Sequence, residues 1–158
     1  MPRPEHPSLL KAIAVGGALA AIFNILDPII FFHFRNGNGI LVLQSIASGL
    51  LGPAAFSGGR NTALLGLALH TLIAFIWATI FVLAARLLPF LSEYPIRSGL
   101  FYGVIVYTVM NYLVIPHSHV APTVPRMAVR INGILAILLL VGLPISLANY
   151  RFAPYSHK

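Results

Sequence analysis

Four long apolar runs alternate with short polar segments along this chain. The runs cover residues of about 9–32, 61–88, 96–115 and 127–150. Each run is long enough for a transmembrane helix, because about 20 apolar residues cross the hydrocarbon core of a bilayer. The pattern predicts an all-α fold, a four-helix transmembrane bundle in which residues 1–158 form a single integral membrane domain.

The start of the first helix can be read from its flanking residues. Three prolines within residues 1–7 prevent helix formation there, and Ser8 follows them immediately before the first apolar run. A serine hydroxyl in this position accepts a hydrogen bond from the first helical turn. Ser8 is therefore the predicted N-cap.

A fifth apolar run, over residues 40–56, is shorter and is broken by polar residues and by helix breakers. The interruptions are Gln44, Ser45, Ser48, Gly49, Gly52 and Pro53. Such a segment is more often re-entrant or interfacial than spanning, because irregular backbone at membrane depth is tolerated only against protein or water. The sequence predicts a re-entrant or interfacial helix after the first span.

The amino-acid composition excludes a soluble globule. The chain is 58% hydrophobic and 8% charged, whereas about a quarter of the residues of a soluble domain are charged. The formal net charge of +7 comes from Lys and Arg in the short segments between apolar runs, where such residues set membrane orientation. The lipid bilayer is therefore the predicted partner, and no nucleic acid is expected.

The distribution of basic residues favours one orientation. If residues 40–56 do not span, six basic residues share a side with both termini and four lie opposite; if they span, the division is five and five. The six are Arg3, Lys11, Arg86, Arg97, Arg151 and Lys158, and the four are Arg35, Arg60, Arg126 and Arg130. Because cytoplasmic loops carry the excess of Lys and Arg, we expect both termini in the cytoplasm, at a bacterial inner membrane.

Polar side chains inside the apolar runs form the candidate site. Asp27 is the only acidic residue within any run. Counted from the ends of their helices, Asp27 and His70 lie roughly 10 Å and 13 Å below the outer boundary. The predicted intramembrane cluster, in the outer half of the bundle, is Asn24, Asp27, His70, Asn111 and Asn132, with Gln44 and Ser48 as additional lining.

Two interpretations of this cluster stay open. In the first, the side chains hydrogen-bond across helices and fix the packing, with Asp27 either paired with His70 or protonated. In the second, Asp27 and His70 form a water-accessible proton or ligand site, as in a small transporter or channel-like protein.

Pairs of small residues four positions apart predict close helix packing. Gly16 and Ala20 form one pair in the first span, and Gly99 and Gly103 form another in the third. Such surfaces allow two helices to approach closely, so a homo-oligomer or another membrane protein is a candidate partner.

Catalytic and metal-binding signals are sparse. The chain has no cysteine, and no motif of a nucleophile elbow, zincin or P-loop is present. His117 and His119 lie two residues apart near the outer boundary and are the candidate metal ligands, although this spacing is unspecific. We therefore predict no cofactor and a noncatalytic protein, a structural or accessory subunit, with the transporter and the metal or cofactor binder as alternatives.

One stretch carries a family resemblance. Residues 44–60 read QSIASGLLGPAAFSGGR and are followed by LLGLALHTLIAFIWA and AARLLP. These segments, above all IASGLLGPAAFSGG, resemble a family of small bacterial multi-pass membrane proteins that are described only as hypothetical. The resemblance implies four membrane spans with a helical insertion after the first, and it assigns no activity and no site residues.

Overall fold

A computed structural model describes residues 8–35, 37–122 and 126–153. These residues are helical apart from short connections, and no strand occurs among them. The prediction for residues 1–7, and the positions of Arg3 and Lys158 that entered the charge comparison, lie outside the described residues.

The helices follow the predicted apolar runs to within one or two residues. Helix α1 is Leu9–His33, α2 is Gly39–Leu51 with a 3₁₀ turn over Gly52–Ser57, and α3 is Gly59–Leu87. The short helix α4 is Phe90–Glu93. Helix α5 is Pro95–Val109, continued by a π turn over Met110–Val114 and a 3₁₀ turn over Ile115–His117. Helix α6 comprises Met127–Ala136, a π turn over Ile137–Gly142 and the segment Leu143–Phe152.

Five of these helices are long and apolar enough to cross a membrane. Two of them, α1 and α3, are regular. The other three are counted with their irregular turns and cover Gly39–Ser57 for α2, Pro95–His117 for α5 and Met127–Phe152 for α6. The described chain is thus an all-helical, multi-pass membrane protein by length and composition, as the hydrophobic pattern predicts. By the same criteria, α2 is also long and apolar enough to span, although the sequence predicts it to be a re-entrant or interfacial helix.

Helices α1 and α3 run antiparallel in close contact. His70 of α3 lies 3.1 Å from the Ala21 carbonyl oxygen, and Val82 packs with Ala12 nearer the start of α1. The end of α1 and the start of α3 therefore lie at the same end of the bundle. We call this the His33 end, and the opposite one the Leu9 end.

Helix α2 lies at the His33 end, with its first and last residues both there. Gly39 follows α1 after a short turn, and Ser57 precedes α3 directly. The buried Gln44 side chain donates hydrogen bonds to the Gly59 carbonyl over 3.0 Å and to the Thr62 hydroxyl over 3.2 Å. These bonds hold α2 against the first turn of α3.

Helix α6 returns beside α1, and α5 packs on α6 through glycines. A methyl group on Gly16 would lie 3.2 Å from the Ala148 side chain, so α1 and α6 approach closely there. A methyl group on Gly99 would lie 2.9 Å from the Gly142 carbonyl oxygen, and one on Gly103 would lie 3.2 Å from the Ile137 carbonyl oxygen. The surface formed by Gly99 and Gly103 is therefore covered by α6 of the same chain, which leaves no room for a second copy.

Aromatic rings join α5 to α3 in the core. The Tyr102 ring meets Phe81 edge-on at 4.9 Å between centroids and Trp77 at 6.0 Å. Phe81 is fully buried, and the Tyr102 hydroxyl donates to the Trp77 carbonyl over 2.6 Å. This contact closes the bundle of α1, α3, α5 and α6 on the side where α5 and α3 meet.

Candidate functional site

A central cavity of about 390 Å³ lies between the helices in the half of the bundle nearer the His33 end. All five long helices contribute to its wall. The polar residues that line it are Asn24, His70, Trp77, Tyr107, Asn111 and Arg130. Its volume falls at the lower end of the range of about 300–1,000 Å³ for small-molecule sites.

Both π turns contribute to the cavity wall. Met110 and Asn111 belong to the turn in α5, and Ile137 and Val141 belong to the turn in α6. A π turn interrupts the regular bonding of an α-helix and frequently marks a functional site. The cavity thus lies where two neighbouring helices both depart from α-helical geometry.

His70 is positioned by the backbone of α1. Its Nε2 atom lies 3.1 Å from the Ala21 carbonyl oxygen, and because a carbonyl can only accept, Nε2 carries the proton and donates. In the neutral ring, Nδ1 is then left as an acceptor. The side chain is half-buried and reaches the cavity from α3.

The two cavity asparagines differ in their bonding. The Asn111 amide donates to the Tyr107 carbonyl one turn earlier, over 2.9 Å, which leaves its side-chain oxygen available as an acceptor. Asn24 is half-buried on α1 and makes no side-chain hydrogen bond within the described parts of the chain. Both amides can therefore hydrogen-bond to a molecule in the cavity.

Polarity falls from the mouth of the cavity to its deep end. Arg130 is exposed one turn after the start of α6, whereas Val141 is buried about 16 Å further along that helix. Ala20 and Ala74 form the deep wall beside Val141 and are also buried. The cavity is thus polar towards the His33 end and apolar towards the middle of the bundle.

Asp27 and Asn132 lie outside this cavity. The Asn132 amide donates to an Asp27 carboxylate oxygen over 2.6 Å, joining α6 to α1. Both line a separate groove of about 470 Å³, together with Arg35 and apolar residues. The structure therefore divides the predicted cluster into two groups, with Asn24, His70 and Asn111 in the cavity and the other two in the groove.

The predicted pairing of Asp27 with His70 does not form. The reason is that α1 packs against α3 on one face and against α6 on another. Ala21 faces α3 and receives the His70 bond, whereas Asp27 faces α6 and receives the Asn132 bond. Each polar group is bonded to the helix that packs on its own side.

Gln44 and Ser48, predicted as additional lining, instead stabilise α2. Gln44 bonds to the start of α3, and the Ser48 hydroxyl donates to the Ser45 carbonyl over 2.7 Å within α2. Both are buried. The α2 residue that lines the cavity is Ile46.

The candidate metal ligands are both exposed, with His117 in the last turn of α5 and His119 two residues beyond it. His117 Nδ1 bonds to the Leu113 carbonyl over 2.7 Å, and the His119 backbone amide donates to the Gly49 carbonyl of α2 over 3.0 Å. Within residues 8–35, 37–122 and 126–153, no three metal-ligating side chains gather into one group.

Several residues of the site are absent from the predicted cluster. Trp77 and Tyr107 line the cavity without having been predicted to do so, and Arg130 is predicted only as a charge that sets orientation. Arg130, Gly133, Ile137 and Val141 follow one another at spacings of three or four residues, which place them on one helix face. This spacing is the signal that could have identified the α6 wall.

Comparisons with family models, curated proteins and solved structures find no match to this chain. The family resemblance of residues 44–60 therefore stays a prediction.

Proposed function

We propose that this protein is a noncatalytic, four-span membrane protein that binds a small molecule in its central cavity. The cavity itself is the observation that carries the proposal. It lies between helices, is mostly apolar and holds a few polar groups from different elements, and ligand sites commonly combine these properties. Gly133 opens onto it, since a methyl group added there would meet nothing within 4 Å.

Native mass spectrometry of the protein released from its own membrane tests this binding. We expect one small-molecule adduct per chain for the wild type and none for Gly133→Leu, whose side chain projects into the cavity and takes space from the ligand. Gly133→Ala is the matched control, because a single methyl group leaves most of the volume open. Identical adducts on all three proteins, each of which unfolds cooperatively on heating, would contradict the proposal.

The four-span arrangement rests on the position of α2. Both ends of α2 meet the same end of the antiparallel pair α1 and α3, which favours a re-entrant or interfacial helix over a fifth span. Because the chain has no cysteine, single cysteines at the exposed Asn38 and Ser57 can be labelled with a membrane-impermeant maleimide. Labelling of both from one side supports four spans, and labelling from opposite sides would require α2 to cross.

The same experiment determines the orientation. A cysteine at the exposed Glu93 reports the Leu9 end. We propose that this end is cytoplasmic, together with both termini, in a bacterial inner membrane. The charge comparison that supports this orientation depends on Arg3 and Lys158. Labelling of Glu93→Cys from outside intact cells would reverse it.

One observation favours a homo-oligomer as a second candidate role, in keeping with an accessory subunit. Asp27 and Arg35 line the separate groove without pairing with each other, and the Arg35 guanidinium instead lies 3.9 Å from the centre of the Phe31 ring. In a symmetric dimer, Arg35 of one copy can pair with Asp27 of the other. Disulfide crosslinking of Leu26→Cys across the groove supports this role, and its absence under conditions that crosslink a known dimer contradicts it.

A further inference from the structure

The electrostatic character of the cavity restricts what it can bind. Among the described residues that line it, Arg130 alone carries a formal charge. The acidic Asp27 lies in the separate groove, where it is bonded to Asn132. No ion pair engages Arg130 within the described part of the chain. The mouth of the cavity therefore presents an uncompensated positive charge.

The shape of the guanidinium group adds specificity to that charge. Its planar set of donors matches the paired oxygens of a carboxylate or a phosphate, and such charge-assisted bonds are stronger than neutral ones. Asn24 and Asn111 lie deeper, where they can bond to atoms adjoining an anionic head. The charged donor thus lies at the mouth of the cavity, and the two neutral amides lie further in.

The deep end suits a hydrocarbon chain. Ala20, Ala74, Val106 and Val141 form buried apolar wall there. Trp77 also reaches this part of the cavity, seven positions or about 10 Å beyond His70 along α3. A molecule that fills the whole space must therefore be polar at one end and apolar at the other.

We propose that the cavity binds a single-chain amphiphile with an anionic head, either a carboxylate or a phosphate monoester. The head bonds to Arg130 at the mouth, and the chain lies along the apolar wall towards Trp77. This inference rests on the proposed function, because it names the class of ligand that the same cavity takes. Fatty acids and lipid phosphates share this chemistry.

The chain contains one tryptophan, which makes Trp77 a reporter at the deep end. A fatty acid brominated at the end of its chain quenches tryptophan fluorescence on close approach. We expect saturable quenching in nanodiscs of wild-type protein. Dodecanoate and dodecyl phosphate are then compared as competitors of the brominated acid. The one that displaces it at the lower concentration identifies the preferred head group. Dodecanol, which keeps the chain and lacks the charge, should compete at least about tenfold more weakly.

The Arg130→Gln variant tests the head group contact. It should weaken binding of the brominated acid by about tenfold or more, and Arg130→Lys should recover part of the loss by restoring the charge. Arg126→Gln is the matched control, because Arg126 is exposed at the same end of α6 and does not line the cavity. Melting temperatures confirm that each variant is folded.

The outcomes separate this inference from the function it rests on. In one outcome, Gly133→Leu abolishes quenching, Arg130→Gln binds the probe as tightly as the wild type, and dodecanol competes as well as dodecanoate. The cavity then binds ligands, but the preference for an anion is wrong. Tighter binding of dodecylammonium than of dodecanoate would overturn the inference in the same way. If Gly133→Leu quenches as the wild type does, the probe lies elsewhere and both proposals fail.

Discussion

Asn132 and Asp27, separated by 105 positions in the sequence, are joined by a hydrogen bond of 2.6 Å across α6 and α1. Both side chains are half-buried on the outer side of the bundle. A carboxylate in a membrane span is costly unless protein or water solvates it. The Asn132 amide provides such a contact, so the pair stabilises the junction of the two helices.

Replacement of Asn132 by Ala should lower the stability of the folded protein by about 0.6–1.7 kcal/mol, the mean and the largest value for hydrogen bonds between membrane helices. Thermal unfolding in nanodiscs measures the change. Asn24→Ala is the control, because Asn24 has no side-chain hydrogen bond within the described residues, and its effect should be smaller. In a double-mutant cycle with Asp27→Ala, strictly additive effects would show that the two residues are not coupled.

Two glycines on α6 should respond in opposite directions to the same substitution. A methyl group on Gly142 would meet the backbone of Gly99 and Gly103, whereas one on Gly133 would meet nothing within 4 Å. We expect Gly142→Ala to cost about 1–3 kcal/mol by overpacking. Gly133→Ala should stabilise by about 0.5–1 kcal/mol, because alanine loses less backbone entropy in a helix.

Thermal unfolding of both glycine variants under one set of conditions provides the measurement. Equal melting temperatures for Gly142→Ala and Gly133→Ala would mean that α5 and α6 do not pack through Gly142. This pair also tests whether Gly99 and Gly103 pack against α6 of the same chain.

The extent of the helices could be predicted from the sequence, because runs of apolar residues and their polar boundaries are local properties. The Ser8 N-cap is confirmed, since the Ser8 hydroxyl accepts from the Lys11 amide over 3.3 Å. A capping serine acts within its own turn. Its role therefore does not depend on how distant parts of the chain pack.

The arrangement of the site could be predicted only in part, because α1 is apolar on nearly every side. Its sequence does not reveal that Gly17 and Ala21 face α3 while Gly16 and Asp27 face α6. The π turns add a second obstacle, since each one rotates the residues that follow it relative to a regular helix. Depth along the helices placed His70 and Asn111 in the same half of the bundle. The division of the polar cluster into cavity and groove depended on tertiary packing.

The attachment of α2 should depend on Gln44. Its buried amide makes two hydrogen bonds to the start of α3, and Gln44→Leu removes both while keeping a side chain of similar size. We expect a loss of about 1–3 kcal/mol, because each of the two hydrogen bonds contributes about 0.5–1.5 kcal/mol. A cysteine at Ala47, which is fully buried, should then react with maleimide several-fold faster.

Ser45→Ala is the matched control for this change. The Ser45 side chain is exposed and donates only to the Val42 carbonyl of its own helix. Its loss should leave the labelling rate at Ala47→Cys unaltered. Equal labelling in the Gln44→Leu and Ser45→Ala backgrounds would show that other contacts hold α2 in place.

The link between α5 and α3 should depend on one hydroxyl group. The Tyr102 hydroxyl donates to the Trp77 carbonyl over 2.6 Å, and its ring is buried against Phe81. Tyr102→Phe keeps the ring contacts and removes only the hydrogen bond, so we expect a loss of about 0.5–1.5 kcal/mol in thermal unfolding. Tyr107→Phe, which removes a hydroxyl from a cavity residue, should cost less. If Tyr107→Phe is instead the more destabilising change, the cavity rather than the Tyr102 bond determines how α5 is held.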